Sequence, residues 1–156
     1  MYYIREFTTG DEIEIYQLFY DTVHHINRKD YTEEQLDVWA PQHPDLSRWQ
    51  KQLAKNCTFV AINKKDGKII GFSDMEKNGY LDRGYVHKDY QGQGMGKALL
   101  KTQEAKAKEL GIKKLFSDVS ITAKPVMEKW GYLTEAEQTK NLGGVLFINY
   151  HMTKDL

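Results

Sequence analysis

The chain has 156 residues, with 22 Lys plus Arg against 22 Asp plus Glu, 40% apolar residues and one cysteine. A chain of that length without a Gly/Ser/Pro-rich linker buries roughly two thirds of its unfolded surface, which predicts a single domain over residues 1–156. Balanced charge leaves no global field to draw nucleic acid, a membrane surface or an acidic polymer, so any charged partner must be met locally. The net charge is −4 over residues 1–63, +5 over 64–129 and −1 over 130–156. Cys57 has no internal disulfide partner, and no Cys or His cluster has zinc spacing, so no metal is expected. "MYYIREFTTGDE" carries charge where a signal peptide would be apolar, and no apolar run approaches the ~20 residues of a membrane span. These features predict a cytoplasmic protein.

In chain order, "YYIREF" predicts a short strand, and "TTGDEIEIYQLFYDTVHHI" a helix with Ile13, Tyr16, Leu18, Phe19 and Val23 near helical spacing. Asp30 or Thr32 can cap a short helix that stops at Pro41, and "PDLSRWQKQLAKN" restarts one, the two covering one face. "CTFVAIN", the turn "KKDGK" and "IIGFSDME" form a hairpin, and "KNGY" opens "YLDRGYVH", which makes an antiparallel meander. In the next helix Met95, Ala98, Leu99, Thr102 and Ala105 form the apolar stripe, with Lys97, Lys101, Glu104 and Lys108 outside it, and Gly111 closes it. "KKLFSDVS" reads as a strand, "TAKPVMEKW" as a short helix, and "GYLTEAEQ" with "GGVLFINYHMT" as a closing pair. Condensed, the order reads β-α-α-β-β-β-α-β-α-β-β, an α/β chain with a mixed sheet and no repeats.

Between the third strand of the meander and the Lys-rich helix stands "VHKDYQGQGMGKALL", with glycines at 92, 94 and 96. A strand that turns through glycines into a helix N-terminus presents free N–H groups and the positive end of a dipole, which suits an anion. Without Cβ atoms the glycines make room for phosphate oxygens; the alternative is a plain Gly-rich turn. A Walker A loop fails twice, at Gln91 in place of its first Gly and at Ala98 in place of its hydroxyl. A dinucleotide fingerprint fails because Lys97 holds its third glycine position.

"QGQGMG", Gln91 to Gly96, resembles the Q/R-x-x-G-x-G/A pyrophosphate loop of the GNAT (GCN5-related) N-acetyltransferase superfamily. "YVHKDYQGQG" is similar to that family's fourth strand and turn, and "SITAKPVMEKWGY" to its fifth-strand exit, short helix and Gly-aromatic ending. Within the superfamily, "DTVHHINRKDYTEEQLDVWAP" with "SITAKP" resembles a bacterial, YafP-like branch. The resemblance spans essentially the whole chain. It implies a mixed, mostly antiparallel sheet of about seven strands flanked by about four helices. It also implies acetyl-CoA as cosubstrate, with the N–H groups of Gln91, Gly92, Gln93, Gly94, Met95, Gly96 and Lys97 around its pyrophosphate. Val86 and His87 would pair their backbone with the pantetheine arm, and Ser120 stands where many members have an Asn touching the same arm. Lys97, Lys124 and Lys129 are candidate partners for its phosphates.

Acetyl transfer to an amine needs a neutral nitrogen, a stabilised oxyanion and a departing thiolate, with proton handling supplying roughly 10²–10⁴ in rate. The family often places a Glu at or near Tyr80, and none is there. Strand alternation puts Tyr80 and Asp82 on the same side as Gly84 and Val86, which makes Asp82 the leading carboxylate, as base through water or as anchor for a cationic substrate, with Glu76 behind it. The family's usual acid, a Tyr four residues before the Gly of the ending, is Met127 here. Either another phenol (Tyr132, Tyr85 or Tyr150) serves, or the thiolate leaves unassisted, or activity is weak. The acceptor pocket should face the N-terminal helices, where His24, His25, Asp30, Tyr31 and Trp39 gather.

Three functions follow. The first is a cytoplasmic acyltransferase moving acetyl from acetyl-CoA to a primary amine of a small molecule or protein, with a homodimer as a possible assembly. The second is a module that binds acyl-CoA without turnover, suggested by Met127. The third, a nucleotide-binding domain, has both motif failures against it.

Overall fold

The computed structural model describes residues 1–156. Strand β1 (Tyr2–Glu6) pairs with β2 (Cys57–Asn63), β2 with β3 (Ile69–Met75) and β3 with β4 (Leu81–Val86), all antiparallel, in the spatial order β1-β2-β3-β4. A second sheet holds β5 (Lys114–Ser120), β6 (Leu133–Leu142) and β7 (Val145–Asp155) in the order β5-β7-β6, again antiparallel. The meander and the closing pair are as the sequence predicts.

Helices α1 (Glu12–His25), α2 (Glu33–Trp39) and α3 (Leu46–Lys55), with a 3-10 turn at Asn27–Lys29, lie between β1 and β2 in the chain. Three α-helices thus stand where the condensed order has two, and with α4 (Met95–Glu109) and α5 (Lys124–Lys129) the total is five rather than about four. Thr32 caps α2: its hydroxyl accepts from the Gln35 N–H at 3.2 Å while the Gln35 side chain accepts from the Thr32 N–H at 2.9 Å. Asp45 caps α3.

Strand alternation divides the core. Ile15, Phe19, Val23, Leu36 and Leu53 of the first three helices pack with Val60, Ile62 and Phe72 on one face of the first sheet, and Met95 and Leu99 of α4 pack with Ala61 and Ile70 on the other. Two periodicity readings need correction. Ile13 is exposed and Ile15 is buried in its place. On α4 the buried face carries Gln103 and Glu104 while Ala105 is exposed, so the stripe is rotated from the small residues expected. Each polar intruder has partners: Gln103 Nε2 donates to Ser73 O and Oγ and to Cys57 O, and Glu104 accepts from Tyr132, Lys154 and Lys101. Hydrogen bonding, rather than apolarity, admits them.

The two sheets join at one end only. Phe116 N–H donates to Gly79 O at 3.1 Å, Ser117 Oγ donates to Leu81 O at 2.7 Å, and Tyr80 forms a parallel bridge with Phe116, the one parallel relation in an otherwise antiparallel fold. From there β4 and β5 continue as edges of separate sheets, with Val86 and Ser120 at the open end.

Gly79 makes the joint possible. Its φ is +99°, and a Cβ there would lie 2.8 Å from the Lys114 carbonyl oxygen. Gly79→Ala is therefore expected to destabilise the fold by about 1–3 kcal/mol in urea unfolding. A loss below about 0.5 kcal/mol, ordinary for a surface change, would mean that the joint tolerates a side chain.

Candidate active site

The last residue of β4, Val86, leads into a turn in which Tyr90 N–H donates to His87 O and Asp89 N–H to His87 Nδ1. Gly92 and Gly94 then take φ of +73° and +80°, and Gly94 caps α4 without a side chain and with no acidic residue in the first turn. No protein acceptor takes the backbone N–H of any residue from Gln91 to Lys97. A run of free donors at the positive end of a four-turn helix can hold a phosphate or pyrophosphate group. Gln91, Gln93 and Lys97 are exposed beside it, and Lys97 forms no ion pair. Met95 contributes only its N–H, because its side chain is buried with Leu99.

The three glycines do not meet the same surroundings. Nothing lies within 4 Å of a Cβ built at Gly92 or Gly94, where the positive φ is the constraint. At Gly96 a Cβ would lie 3.2 Å from Trp130 Cη2 and 3.6 Å from Val86 Cγ2. Gly96 lets α4 lie against Trp130 and β4.

Along the open edge of β4, antiparallel hydrogen bonding alternates inward and outward. His87 N–H donates inward to Ile70 O at 2.9 Å, so it is not free for a ligand, contrary to the pairing expected of it. Val86 points outward, and its carbonyl accepts from Thr22 Oγ1 of α1 at 3.0 Å and from Gln91 Nε2 at 2.6 Å. Across the opening, Ser120 Oγ accepts from Ala123 N–H at 3.1 Å, which holds the start of α5. Lys124 lies 3.3 Å from Glu128 and over the Tyr150 ring, and Lys129 is exposed without an ion pair.

Asp82 does not share the face of Gly84 and Val86. Register shifts where β3 passes from Asp74 to Met75: Asp74 pairs with Arg83 and Met75 with Leu81, leaving Asp82 as the extra residue of a bulge. Its carboxylate turns toward the side of α3, into a polar cavity of about 390 Å³ lined also by Lys55, Asn56 and Glu76. Burial, and then the neighbouring Asp74, push its pKa up to about 6 despite Arg83. Tyr80 precedes β4 rather than lying in it; its hydroxyl donates to Asp118 at 3.3 Å and its ring packs on Phe116. Burial and the adjacent Asp118 and Asp82 raise the Tyr80 pKa.

Tyr132 is not brought to the opening. It is buried, donates to Glu104 at 2.9 Å, and burial with that carboxylate pushes its pKa up, so its proton is committed beneath α4. Tyr150 donates to Glu137. Met127 is partly buried against the core cluster that holds Leu100, Leu115, Tyr132 and Met152.

Sequence reasoning missed Asp118. Burial alone would raise its pKa, but hydrogen bonds from Gln138 and His151 lower it, so it stays ionised. A carboxylate inside an apolar strand, two residues from Ser120 and so on the same face, was the available signal.

On the acceptor side, His24 is buried, with Nε2 2.9 Å from the Ala40 carbonyl, and so links α1 to the end of α2 rather than offering its ring to a ligand. His25 is exposed, with Nδ1 bonded to Asp21 O; the two lie on a larger surface hollow of about 570 Å³ to which neither β4 nor the glycine loop contributes. Tyr31 and Trp39, in contrast, are together: their rings contact each other and Phe147, Trp39 reaches Tyr85 of β4, and Tyr31 Oη accepts from Ile121 N–H at 2.9 Å, one residue past Ser120. Asp30 accepts from Thr122 Oγ1 at 2.7 Å and anchors the same loop.

No three His, Cys, Asp or Glu side chains converge to hold a metal, and no helix is long and apolar enough to cross a membrane. Residues 27–154 match the acetyltransferase (GNAT) domain model. The chain is 32% identical over 149 residues to YafP, an uncharacterized N-acetyltransferase of Escherichia coli K12, covering 96% of this chain and 93% of that one. A GCN5-related N-acetyltransferase from Rhodopseudomonas palustris superposes with a TM-score of 0.94 at 28% identity, covering 99% of this chain and 95% of that one. The PaiA N-acetyltransferase of Thermoplasma acidophilum, solved with coenzyme A, shares the fold with a TM-score of 0.77 at 17% identity, covering 100% of this chain and 99% of that one. A glycine loop with every donor free, at the open end of a sheet split between its fourth and fifth strands, and a family match over most of the chain lead to one conclusion: the chain belongs to the GNAT family and is an acetyl-CoA-dependent N-acetyltransferase.

Proposed function

We propose that residues 1–156 act as one catalytic unit in which acetyl-CoA lies along the outer edge of β4, its pyrophosphate on the N–H groups of Gln91 to Lys97 and its pantetheine arm beside Val86. The observation that carries this reading is the run of unpaired donors from Gln91 to Lys97, one turn beyond a strand edge that has no partner strand. Lys97 and Lys129 supply positive charge nearby, and Ser120 flanks the arm from β5. The single free cysteine fits a reducing cytoplasm.

The amine acceptor enters from the side of α1, α2 and α3, past Trp39, Tyr31 and Tyr85. Most alkylamines arrive as ammonium ions, so a nearby carboxylate has two tasks: it attracts the cation and then takes its proton. Asp82, held near 6, does both at neutral pH, directly or through one water. The freed nitrogen attacks the thioester carbonyl, the C–S bond breaks as the acetyl group moves to nitrogen, and the second N–H proton passes through water to the departed thiolate as the amide forms. Met127 has no proton to give and Tyr132 is committed to Glu104, so the thiolate departs without a protein acid. A thiol of pKa near 8.5 is a sufficient leaving group for that.

Thiol release screened across amines, amino acids, aminoglycosides and peptide N-termini identifies the acceptor; no release with any class, despite tight acetyl-CoA binding, would overturn the acceptor reading. Gly94→Val, which imposes a branched side chain at φ +80°, is expected to weaken acetyl-CoA binding in calorimetry by more than about tenfold, or ~1.4 kcal/mol. Unchanged affinity in the folded variant would remove the loop from the donor site. For Asp82 the active form is the anion, so kcat/KM should rise through about pH 6 and level off above it. Asp82→Asn should abolish that limb and lower kcat by about 10²-fold; a limb that persists in the variant would assign it to another group.

A further inference from the structure

We propose that Asp74 is a positioning residue for Asp82: by capturing Arg83 it holds the guanidinium beyond hydrogen-bond reach of the Asp82 carboxylate and leaves that carboxylate open to the acceptor. The proposal rests on the reading of Asp82 as proton acceptor. Asp74 is fully buried on β3, and Arg83 of β4 bonds it through both ends of the fork, Nε to Oδ1 at 3.2 Å and Nη2 to Oδ2 at 2.5 Å. Asn56 donates a third bond to Asp74 at 3.0 Å, and Trp49 of α3 lies 4.4 Å from the guanidinium carbon. Arg83 is therefore clamped from two elements, β3 and α3, while Asn56 fixes the carboxylate that holds it. Asp82, one residue away in the bulge, makes only a long ion pair with Arg83 Nη2 at 3.7 Å and receives no hydrogen bond.

Among the charges that act on Asp82, only that of Arg83 favours its ionisation. Glu76 and Asn78 face it from the turn, Gln52 and Lys55 from α3, Asn56 from the cap of that helix, Tyr80 from just before β4, and Lys77 completes the cavity rim. The other charges that act on it are the carboxylates of Asp74 and Glu76, both of which oppose its ionisation. A free guanidinium at this distance would close a bidentate pair with Asp82, and a carboxylate so paired loses about 1–3 pKa units and its use as a base. The fully buried Asp74 wins that competition because leaving it unpaired costs more than leaving the part-exposed Asp82 unpaired.

The test is a pH titration of the Asp82 carboxyl carbon by NMR in the ligand-free protein, its signal assigned by loss in Asp82→Asn. Asp74→Asn removes a repelling charge and releases Arg83, both of which favour the Asp82 anion, so the midpoint should fall by about one pH unit or more. A midpoint that moves by less than about 0.3 units would overturn the proposal, since a purely structural role for Asp74 lowers stability without touching this titration. If that variant does not fold, Asp74→Asn/Arg83→Met removes both charges together. The midpoint should then stay within about half a unit of wild type; a rise of more than about one unit would show that Arg83 already serves Asp82, which overturns the proposal. Turnover of Asp82→Asn with the best amine from the screen separates the two readings. An unshifted titration with turnover lost removes only the part given to Asp74. A shifted titration with turnover unaltered removes the proton-acceptor role and this proposal with it.

Discussion

The interaction on which the rest depends is one that is withheld: β4 and β5 are joined at Gly79 to Leu81 and nowhere further along. A continuous sheet would satisfy the outward N–H and C=O groups of β4 with β5 and leave no place for an extended ligand. Ending the pairing early leaves strand edges that a pantetheine arm, itself an amide chain, can complete. The cost is unsatisfied backbone, and it is limited because the opening faces solvent. The joint holds the split at a fixed angle, through a turn whose glycine admits the neighbouring strand.

Electrostatic order follows from the same geometry. The bulge at Asp82 puts two consecutive β4 side chains near one buried carboxylate, and the chain resolves the conflict by giving the cation to Asp74. On the far side of the opening Asp118 sits among Gln138, His151 and Tyr80 and stays ionised. The two carboxylates on either side of the split therefore have opposite character, one ready to accept a proton and the other already saturated with donors. Environment alone separates them.

Much of this was legible in the sequence. Strand and turn punctuation located all seven strands, and the spacing of Gly92, Gly94 and Gly96 singled out the loop, because these are local signals. What failed were readings that needed a partner in space. The α4 stripe was drawn from small residues, whereas Gln103 and Glu104 are buried through bonds to Ser73 and Lys154 that lie far away in sequence. Alternation placed Asp82 correctly in its strand but on the wrong face, since a bulge is set by the pairing strand rather than by the bulged one. His24 and Tyr132 looked free for chemistry and are tied to Ala40 and Glu104, while Trp39 and Tyr31 did converge, both packed on Phe147 of β7 with Tyr31 bonded to the residue after β5.

The two bonds on the Val86 carbonyl have a bearing on the protein between turnovers. An unpaired strand edge is a template on which other chains can assemble, and most proteins blunt such edges with charge or a covering segment. Here Thr22 and Gln91 occupy the outward carbonyl at the mouth of the split. The side chain that opens the glycine loop thus also covers a backbone acceptor that an added strand would need.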